Sequence, residues 1–412
     1  MAIIKPFCAI RPTVGFEKHI AALPYDVYNR KEAKKIVSEE PHSFLKIDRG
    51  ETQFPDEQDM YADRVYEKAR DTLNDMLVKN QFTKEITPCF YVYEQRMNGR
   101  SQSGIVVCSS VDDYLNNIIK KHENTIEAKE LDRIKHVDIC NAQTGPIFLT
   151  YRSNATVNNV VDVTKQGSPI YDFVTEDQIG HRVWIINKQE DITILEEAFK
   201  GINKVYIADG HHRCASAVKV CLKRRKDNPD YTGLEEYNYF LSVLFPEDQL
   251  MILDYNRVVT DLNGLSEQEF LSKTEENFTI ISKENSQVKP SKKGVFGMYL
   301  KDNWYELIYQ NKEVIDNPVD QLDVSILQNK VLDPILNIKN PKTNKRIDFI
   351  GGIRGMNELE KRVHNDCKVA FSLYPTSIRE LFEVADADLL MPPKSTWFEP
   401  KIRSGLFIHS IH

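Results

Sequence analysis

The chain has 412 residues, of which 41% are hydrophobic and 28% are charged, an ordinary composition for a folded globular protein. Because a single hydrophobic core rarely grows to this length, more than one lobe is expected. Its 54 Lys and Arg against 61 Asp and Glu give a net charge of −7. This acidic balance argues against a nucleic-acid partner, which a basic surface would bind.

The sequence carries no sign of a membrane or secretory destination. No apolar run approaches the roughly 18 residues that a membrane span needs. The first residues lack the charged and apolar regions of a secretory signal. The 7 Cys are scattered without a CxxC pair, which is typical of reduced thiols and argues against a disulfide framework or a zinc site. We therefore predict a cytoplasmic protein with no membrane partner.

The first quarter of the chain contains recognisable helix and turn signals. Asn29 and Glu32 have the spacing of a capping box, which predicts a helix that begins at residue 30. Apolar residues recur at helical spacing over about Gln58 to Lys79 and predict a longer helix. The dipeptide Asn98-Gly99 predicts a hairpin turn between two β-rich runs. These runs are Phe90–Tyr93 and Gly104–Cys108.

Strand and helix patterns alternate in the middle of the chain. Strands are predicted at Val183–Ile186 and Val205–Ala208, with a helix at Thr193–Phe199 between them, and another helix is predicted after Arg213. The polar segment Lys223–Thr232 is predicted to be a loop or linker. The mixture predicts an α/β (mixed α+β) fold. We predict an N-terminal lobe at 1–100, a catalytic region at 101–228 and a C-terminal lobe at 229–412.

The strongest motif is Asp209-Gly-His-His-Arg213, placed between a strand and a helix. The first amides of such a helix form an anion site, and Gly210 permits close approach of a ligand to the backbone. The side chains of His211, His212 and Arg213 suit phosphate binding, and Asp209 suits a hydroxyl or a metal ion bound to phosphate. The alternative is a plain turn with a surface pair of histidines. A zinc site is disfavoured because nothing nearby completes a tetrahedral set.

A second cluster of anion-binding residues lies near the C-terminus, between Met391 and Ser404. Its basic and hydroxyl side chains predict contacts to a phosphoryl donor, and the alternative is a proline-rich tail packed on the surface. No GxxxxGK[ST] and no GxGxxG sequence occurs, so these two nucleotide-binding motifs are absent. The predicted donor-binding residues of the segment are Lys394, Ser395, Thr396, Lys401 and Arg403.

The central motif resembles the signature turn of the ParB/sulfiredoxin-like fold, which includes the free serine kinases. More of the chain resembles one family, long catalogued as uncharacterised, some members of which are identified as pyrophosphate-dependent free serine kinases. The resemblance implies a ParB/sulfiredoxin-like centre with additional N- and C-terminal lobes. The matching stretches, besides the central turn, are Pro24–Val27, Ser43–Leu45, Lys121–Thr125, Asn141–Pro146 and Met391–Gly405.

The resemblance implies a transferase that phosphorylates free L-serine to O-phosphoserine, with Mg²⁺ as cofactor. The donor it implies is inorganic pyrophosphate, with ATP or ADP as alternatives. Free serine kinases carry a catalytic glutamate in a His-Glu context upstream of the turn, and Glu123 fits that order. A carboxylate is a suitable acceptor for the serine proton. Metal binding is assigned to Asp209. The implied substrate-binding residues are His122, Thr125, Asn141 and Thr144; Asn141–Pro146 is equally interpreted as a structural turn.

Two other functions remain open at this level. One is a ParB-like nucleotide-dependent DNA-binding switch, against which the acidic balance stands. The other is a non-catalytic module that binds a phosphorylated metabolite. A sulfiredoxin-like reductase is disfavoured because His211 and His212 stand where that chemistry needs a reactive Cys, and Cys214 falls inside the predicted helix.

Overall fold

Strands and helices are mixed along the chain in the computed structural model, which describes residues 1–283, 286–310 and 316–412. In chain order the strands are β1 (Ile4–Lys5), β2 (Ile10–Pro12), β3 (Phe82–Lys84), β4 (Phe90–Met97), β5 (Arg100–Ser110), β6 (Ile119–Lys120), β7 (Ala142–Gln143), β8 (Ile147–Tyr151), β9 (Tyr171–Val174), β10 (Gly180–Ile186), β11 (Val205–Asp209), β12 (Tyr239–Pro246), β13 (Met251–Leu253), β14 (Tyr255–Val259), β15 (Phe278–Lys283), β16 (Val295–Leu300), β17 (Asn303–Tyr309), β18 (Ile347–Gly351), β19 (Val369–Ser372), β20 (Trp397–Glu399) and β21 (His409–Ser410).

The α-helices lie between these strands and on their faces. They are α1 (Glu17–Ile20), α2 (Arg30–Glu39), α3 (Leu45–Asp48), α4 (Asp63–Val78), α5 (Val111–Leu115), α6 (Glu127–Cys140), α7 (Ala155–Thr164), α8 (Gln189–Lys200), α9 (His211–Asp227), α10 (Glu267–Glu275), α11 (Asp323–Leu327), α12 (Met356–Asn365) and α13 (Ile378–Asp386). The shorter helical turns are the 3₁₀ helices Gly50–Gln53, Glu236–Asn238, Glu247–Gln249 and Gly352–Arg354 and the π-helix Gln328–Leu332. The mixed α/β class predicted from the sequence is confirmed.

The described residues divide into two compact units. Unit 1 comprises Met1–Leu250 and Pro400–His412, and unit 2 comprises Met251–Glu399. The sequence predicts three lobes with boundaries after residues 100 and 228, and the structure differs at both. β5 pairs with β4 on one side and with β12 on the other, so strand pairing joins all three segments within unit 1.

Unit 1 is built on a mixed sheet with the strand order β6-β11-β8-β12-β5-β4-β10-β9, and β1 also pairs with β5. Asn98 and Gly99 have φ values of 50° and 78°, as a tight turn between antiparallel strands requires. The predicted β4–β5 hairpin is therefore confirmed. The sheet carries the main core of the unit, which includes Phe90, Val107 and Leu149, all fully buried.

The start of helix α2 follows its capping signal. The side chain of Asn29 accepts a hydrogen bond from the Glu32 amide, and the Glu32 carboxylate accepts one from the Asn29 amide, so the predicted capping box is confirmed. The long helix predicted from about Gln58 begins later, as α4 at Asp63. The preceding residues form turns instead, one of them closed by a hydrogen bond from the Tyr61 amide to Asp59.

Helix α9 continues to Asp227, so the loop predicted over Lys223–Thr232 is wrong for its first half. The basic residues that end α9 have acidic partners elsewhere in the unit. Lys223 pairs with Asp138, and Arg225 pairs with Asp112. Cations in the last turn also suit the negative end of the helix dipole.

Unit 2 has its own sheet, in the order β15-β17-β16-β19-β14-β18. β13 and β20 pair with each other beside it. A small core of Val258, Trp304, Ile350 and Ala370 packs between this sheet and the helix α12 residue Leu359. Within the described residues, no helix combines the length and the apolar character that crossing a membrane requires.

Candidate active site

The turn between β11 and α9 carries the central motif of the sequence. β11 ends at Asp209, and α9 begins at His211. Gly210 has a φ of +93°, and a Cβ built on it would lie 3.0 Å from Nε of Arg213. Only glycine meets both demands without strain. The missing Cβ makes room for the Arg213 guanidinium over the turn, and the first amides of α9 lack partners within the helix, as at an anion-binding helix N-terminus.

Asp209 is held in place at the end of β11. One carboxylate oxygen accepts a hydrogen bond from the Gly210 amide at 2.8 Å, and the other accepts one from Nζ of Lys401 at 3.0 Å. Burial by itself raises the pKa of Asp209, but the positive charges of Lys401 and Arg213 outweigh it and hold that pKa well below its usual range. The turn thus presents an ionised carboxylate beside two cations.

The upstream His-Glu pair lies beside the turn because β6 and β11 are parallel neighbours. Ile119 is in register with Val205, so both chains leave the sheet in the same direction. The rings of His122 and His211 meet edge to face with centroids 4.6 Å apart. Oε2 of Glu123 lies 3.9 Å from Nδ1 of His211. The structure therefore brings Glu123 next to the predicted phosphate-binding turn.

The two contacting histidines are neutral. Burial lowers the pKa of His122 to about 4, although Asp209 and the Ile207 backbone oppose the shift. Burial and the His122 ring hold the pKa of His211 well below its usual range. Among the described residues, Nδ1 of His122 and Nε2 of His211 are buried without a hydrogen-bond partner. A buried polar atom of this kind costs about 1–3 kcal/mol, and it offers a contact to a bound polar group.

The other two residues of the central motif make contacts within the unit. Nε2 of His212 accepts a hydrogen bond from the Ile126 amide at 2.9 Å. Arg213 donates through Nη1 to the carbonyl oxygen of Pro146, and its guanidinium covers Gly210. Arg213 thus connects the turn to the Asn141–Pro146 segment.

The predicted substrate-binding residues separate into different environments. The Thr125 hydroxyl donates to Glu130. Asn141 ends α6 in the left-handed conformation, and its Oδ1 accepts from Arg224 at 2.6 Å. These contacts suit a structural role for both residues. Thr144 is 5% exposed, and its hydroxyl donates to Oδ1 of Asp48 at 2.8 Å.

The predicted donor-binding residues are divided between the two units. In unit 2, the amino group of Lys394 lies 5.6 Å from the centre of the Tyr255 ring. The buried Ser395 donates to the Pro392 carbonyl and accepts at its own carbonyl from Thr376. Thr396, next to Ser395, is half-buried.

In unit 1, Arg403 is 4% exposed. It pairs with Asp177 and donates to the Thr175 hydroxyl at 3.2 Å and to His181 at 3.4 Å. Its polar contacts are thus made inside the protein.

No group of three or more His, Cys, Asp or Glu side chains suited to a metal ion occurs among the described residues. An Mg²⁺ ion that accompanies phosphate needs only one or two protein carboxylates and keeps several waters. The ionised carboxylate of Asp209 fits that requirement as a hard oxygen ligand.

Sequence reasoning missed a polar cavity that adjoins the turn. Its residues include Tyr25, Asp48, Arg133 and His136. Tyr25 falls within one of the stretches that carry the family resemblance, and Asp48 follows another by three residues. Their position in or near these stretches was the one sequence signal for the cavity. Neither residue belongs to a motif of known chemical function.

Comparison with protein families finds one matching family. Residues 4–325 match the model of the family described as "Protein of unknown function (DUF1015)". No curated protein matches the sequence.

Solved structures show distant likeness. SbnI from Staphylococcus aureus, truncated at its C-terminus, is 12% identical with a TM-score of 0.36, covering 71% of this chain and 82% of that one. A free serine kinase in complex with AMP is 12% identical with a TM-score of 0.35, covering 74% and 91%. A conserved hypothetical protein from Pyrococcus furiosus is 13% identical with a TM-score of 0.34, covering 74% and 94%. Since the family model spans well over half of the sequence, the chain belongs to the DUF1015 family.

Proposed function

We propose that the protein is a kinase that transfers a phosphoryl group to the hydroxyl of free L-serine. The observation that carries the proposal is the position of Glu123, whose Oε2 lies 3.9 Å from Nδ1 of His211 at the start of α9. A carboxylate beside a helix N-terminus places a proton acceptor next to an anion-binding site. The sequence resemblance to free serine kinases supports the choice of serine.

In the proposed reaction, the serine Oγ attacks the terminal phosphorus of the donor. A new P–O bond forms at Oγ, the P–O bond to the leaving phosphate breaks, and Glu123 accepts the hydroxyl proton. The Glu123 side chain is 41% exposed, so it can receive a proton and return it to solvent. A general base of this kind contributes typically 10²–10⁴-fold to the rate.

The turn would hold the transferred group. The first amides of α9 and the guanidinium of Arg213 offer hydrogen-bond donors of the kind that stabilise charge on phosphoryl oxygens. Neutral His211 adds a ring nitrogen beside Glu123. Asp209 is ionised and paired with Lys401. In this proposal, the positive charge of Lys401 also stabilises the charge of the bound phosphate.

Asp209 would hold a magnesium ion that accompanies the donor, and that ion would neutralise part of the phosphate charge. The donor we propose is pyrophosphate, with ATP or ADP as alternatives. Pyrophosphate has no base to stack, so charge and hydrogen bonds alone must hold it. The donor roles of Lys394, Ser395 and Thr396 stay predictions.

A phosphorus NMR screen tests the proposal. Pyrophosphate, ATP and ADP are each incubated with the protein, magnesium and L-serine, alongside a panel of other hydroxyl-bearing metabolites. We expect a phosphomonoester resonance that coincides with that of added O-phosphoserine, and loss of the donor resonances. If L-serine yields no phosphoester with any donor, the kinase proposal fails. A thermal shift by pyrophosphate without turnover would favour a module that only binds phosphorylated ligands.

A further inference from the structure

A polar cavity of about 210 Å³ opens between α3, α4 and α6 of unit 1. A smaller recess of about 30 Å³ shares four of its lining residues and extends to Thr144, Gly145 and Arg213. We call the two together the Asp48 cavity, defined by the shared residues Tyr25, Asp48, Arg133 and His136. Arg213 also covers Gly210 of the Asp209 turn, so the cavity and the proposed phosphoryl site share one side chain.

Asp48 is the distinctive group of this cavity. It is 3% exposed, although carboxylates are rarely buried without a partner. Its Oδ1 accepts from the Thr144 hydroxyl at 2.8 Å. Within the described part of the chain, Oδ2 accepts no hydrogen bond. Oδ2 of Asp48 is therefore available to accept a hydrogen bond from a ligand in the cavity that Asp48 lines.

The surroundings of Asp48 favour a positive group. Arg133 donates through Nη1 to the backbone carbonyl of Asp48 at 3.3 Å, but its ion pair is with Asp132 at 2.9 Å, and its guanidinium lies 4.1 Å from the Tyr25 ring centre. His136 contacts the Ile47 carbonyl through Nε2, and burial, then the Arg133 charge, lower its pKa. His136 is thus neutral, and its second ring nitrogen is an acceptor. Arg133 already lies over the Tyr25 ring, but Tyr28 and Tyr61 also line the cavity, and the faces of aromatic rings attract cations.

We propose that the Asp48 cavity binds the α-ammonium group of a free amino acid, and that Asp48 selects acceptors that carry it. This inference rests on the proposed function, because it places the acceptor's hydroxyl toward Arg213 and the turn. At about 210 Å³ the cavity is smaller than the roughly 300–1,000 Å³ of sites for drug-sized ligands. That size suits a single small amino acid.

The test compares acceptors that differ in one group. L-Serine carries the ammonium, the carboxylate and the hydroxyl, whereas 3-hydroxypropionate lacks only the ammonium. With the wild-type protein, we expect kcat/KM for 3-hydroxypropionate to be at least about 100-fold lower, because the buried carboxylate of Asp48 would lose its partner. In Asp48→Asn, we expect KM for L-serine to rise at least about 10-fold and the discrimination to collapse, with affinity for pyrophosphate unchanged. Asp75→Asn, an exposed change on α4, is the matched control and should behave as wild type.

A further variant and the pattern of outcomes distinguish this inference from the kinase proposal. Thr144→Val removes the hydroxyl that positions Asp48, so it should weaken L-serine binding in calorimetry even if Asp48→Asn does not fold. Phosphorylation of L-serine with equal use of 3-hydroxypropionate, or full discrimination in both variants, would overturn this inference and leave the kinase proposal standing. Ammonium-dependent L-serine binding that requires Asp48, without turnover on any donor, would overturn the kinase proposal and support the cavity assignment.

Discussion

Lys401 and Arg403 lie two residues apart and contact different carboxylates. Lys401 reaches Asp209 in the proposed active site, and its side chain is 17% exposed. Arg403 pairs with Asp177, and its side chain is 5% exposed. We therefore expect Lys401 to act in the proposed chemistry and Arg403 to stabilise the packing of unit 1, although their sequence context is the same.

Substituting each of these cations by Ala separates the two roles. Lys401→Ala should lower kcat/KM at least about 10-fold, since a charge beside the phosphoryl group is lost. It should also lower the free energy of unfolding, because Asp209 is 31% exposed and loses its partner, so the kinetics are measured under conditions where the variant is folded. Arg403→Ala should lower the free energy of unfolding by about 2–3 kcal/mol. That is less than the 3–5 kcal/mol of a fully buried pair, because Asp177 is 45% exposed and can be hydrated. Urea unfolding and steady-state kinetics are measured on both variants. An Arg403→Ala protein that is stable but inactive would instead support the predicted role of Arg403 in donor binding.

Residue roles of this kind are only partly readable from sequence. The residue types of the Asp209 turn predict an anion site without any tertiary information. The partner of each basic residue near the C-terminus is a different matter, because Asp177 and Asp209 are about two hundred residues away in the chain. Separation along the chain also hides the Asp48 cavity, because Asp48 lies 85 residues from Arg133 and 96 from Thr144.

At the scale of elements, local sequence signals predict turns and helix starts well. Features that depend on pairing between distant residues are predicted less well. The Asn98-Gly99 turn and the Asn29 capping box lie within a few residues of what they determine, so both are confirmed. The basic residues at the end of α9 instead pair with distant residues, Asp138 and Asp112. Their polar run resembles a loop in the sequence, but it is helical as far as Asp227.

The backbone of the turn makes a prediction at this scale. Gly210→Ala places a Cβ in a left-handed conformation, which costs about 1–2 kcal/mol, and also pushes against the Arg213 guanidinium 3.0 Å away. Gly233→Ala is the control, since its φ is +88° and no atom lies within 4 Å of the added Cβ. Both variants should lose similar stability in urea unfolding. Only Gly210→Ala should lose activity, by at least about 10-fold, because Arg213 moves. Equal activity in the two variants would argue that the position of Arg213 is unimportant.

At the scale of the whole molecule, strand pairing decides the division of the chain. The last thirteen residues, Pro400–His412, belong to unit 1, where β21 pairs with β7. The composition of the sequence cannot reveal that the last residues pack with unit 1 and not with unit 2, which precedes them. The mixed fold class follows from alternating strand and helix patterns, whereas the number and limits of the units depend on pairings between distant segments. The ParB/sulfiredoxin-like character of the centre stays a prediction.

Buried neutral histidines make the stability of unit 1 depend on pH. Burial, followed by the charge of Arg403, lowers the pKa of His181 to about 3, and burial lowers that of His122 to about 4. The unfolded chain binds these protons near pH 6.5, whereas the folded protein does not. The free energy of unfolding should therefore fall as pH decreases from about 6.5 toward 4, by up to about 1.4 kcal/mol per pH unit for each histidine.

The measurement is urea unfolding at several pH values, followed by the fluorescence of Trp184 in a protein whose Trp304 and Trp397 are replaced by Phe. Trp184 belongs to unit 1 and the other two belong to unit 2, so the signal reports unit 1. His181→Gln should reduce the dependence of the free energy of unfolding on pH by up to about 1.4 kcal/mol per pH unit, which corresponds to one proton. A slope that is flat in the parent protein, or unchanged in the variant, would mean that His181 is not held neutral.

The central claim is that Glu123 accepts the serine proton beside the Asp209 turn, and Glu123→Gln tests it most directly. Substrate affinities are measured by calorimetry, and the single-turnover rate of O-phosphoserine formation is measured by rapid quench, for this variant, wild type and Asp209→Asn. Glutamine keeps the size of the side chain but cannot accept the proton. Asp209→Asn should impair both affinity and rate, because it removes the charge that holds Lys401.

For Glu123→Gln we predict near wild-type affinity for L-serine and for the donor, together with a single-turnover rate lower by about 10²–10⁴-fold. That combination isolates the chemical step. A Glu123→Gln protein that forms O-phosphoserine at the wild-type rate would contradict the account, and the base would then have to be sought at Asp209 itself.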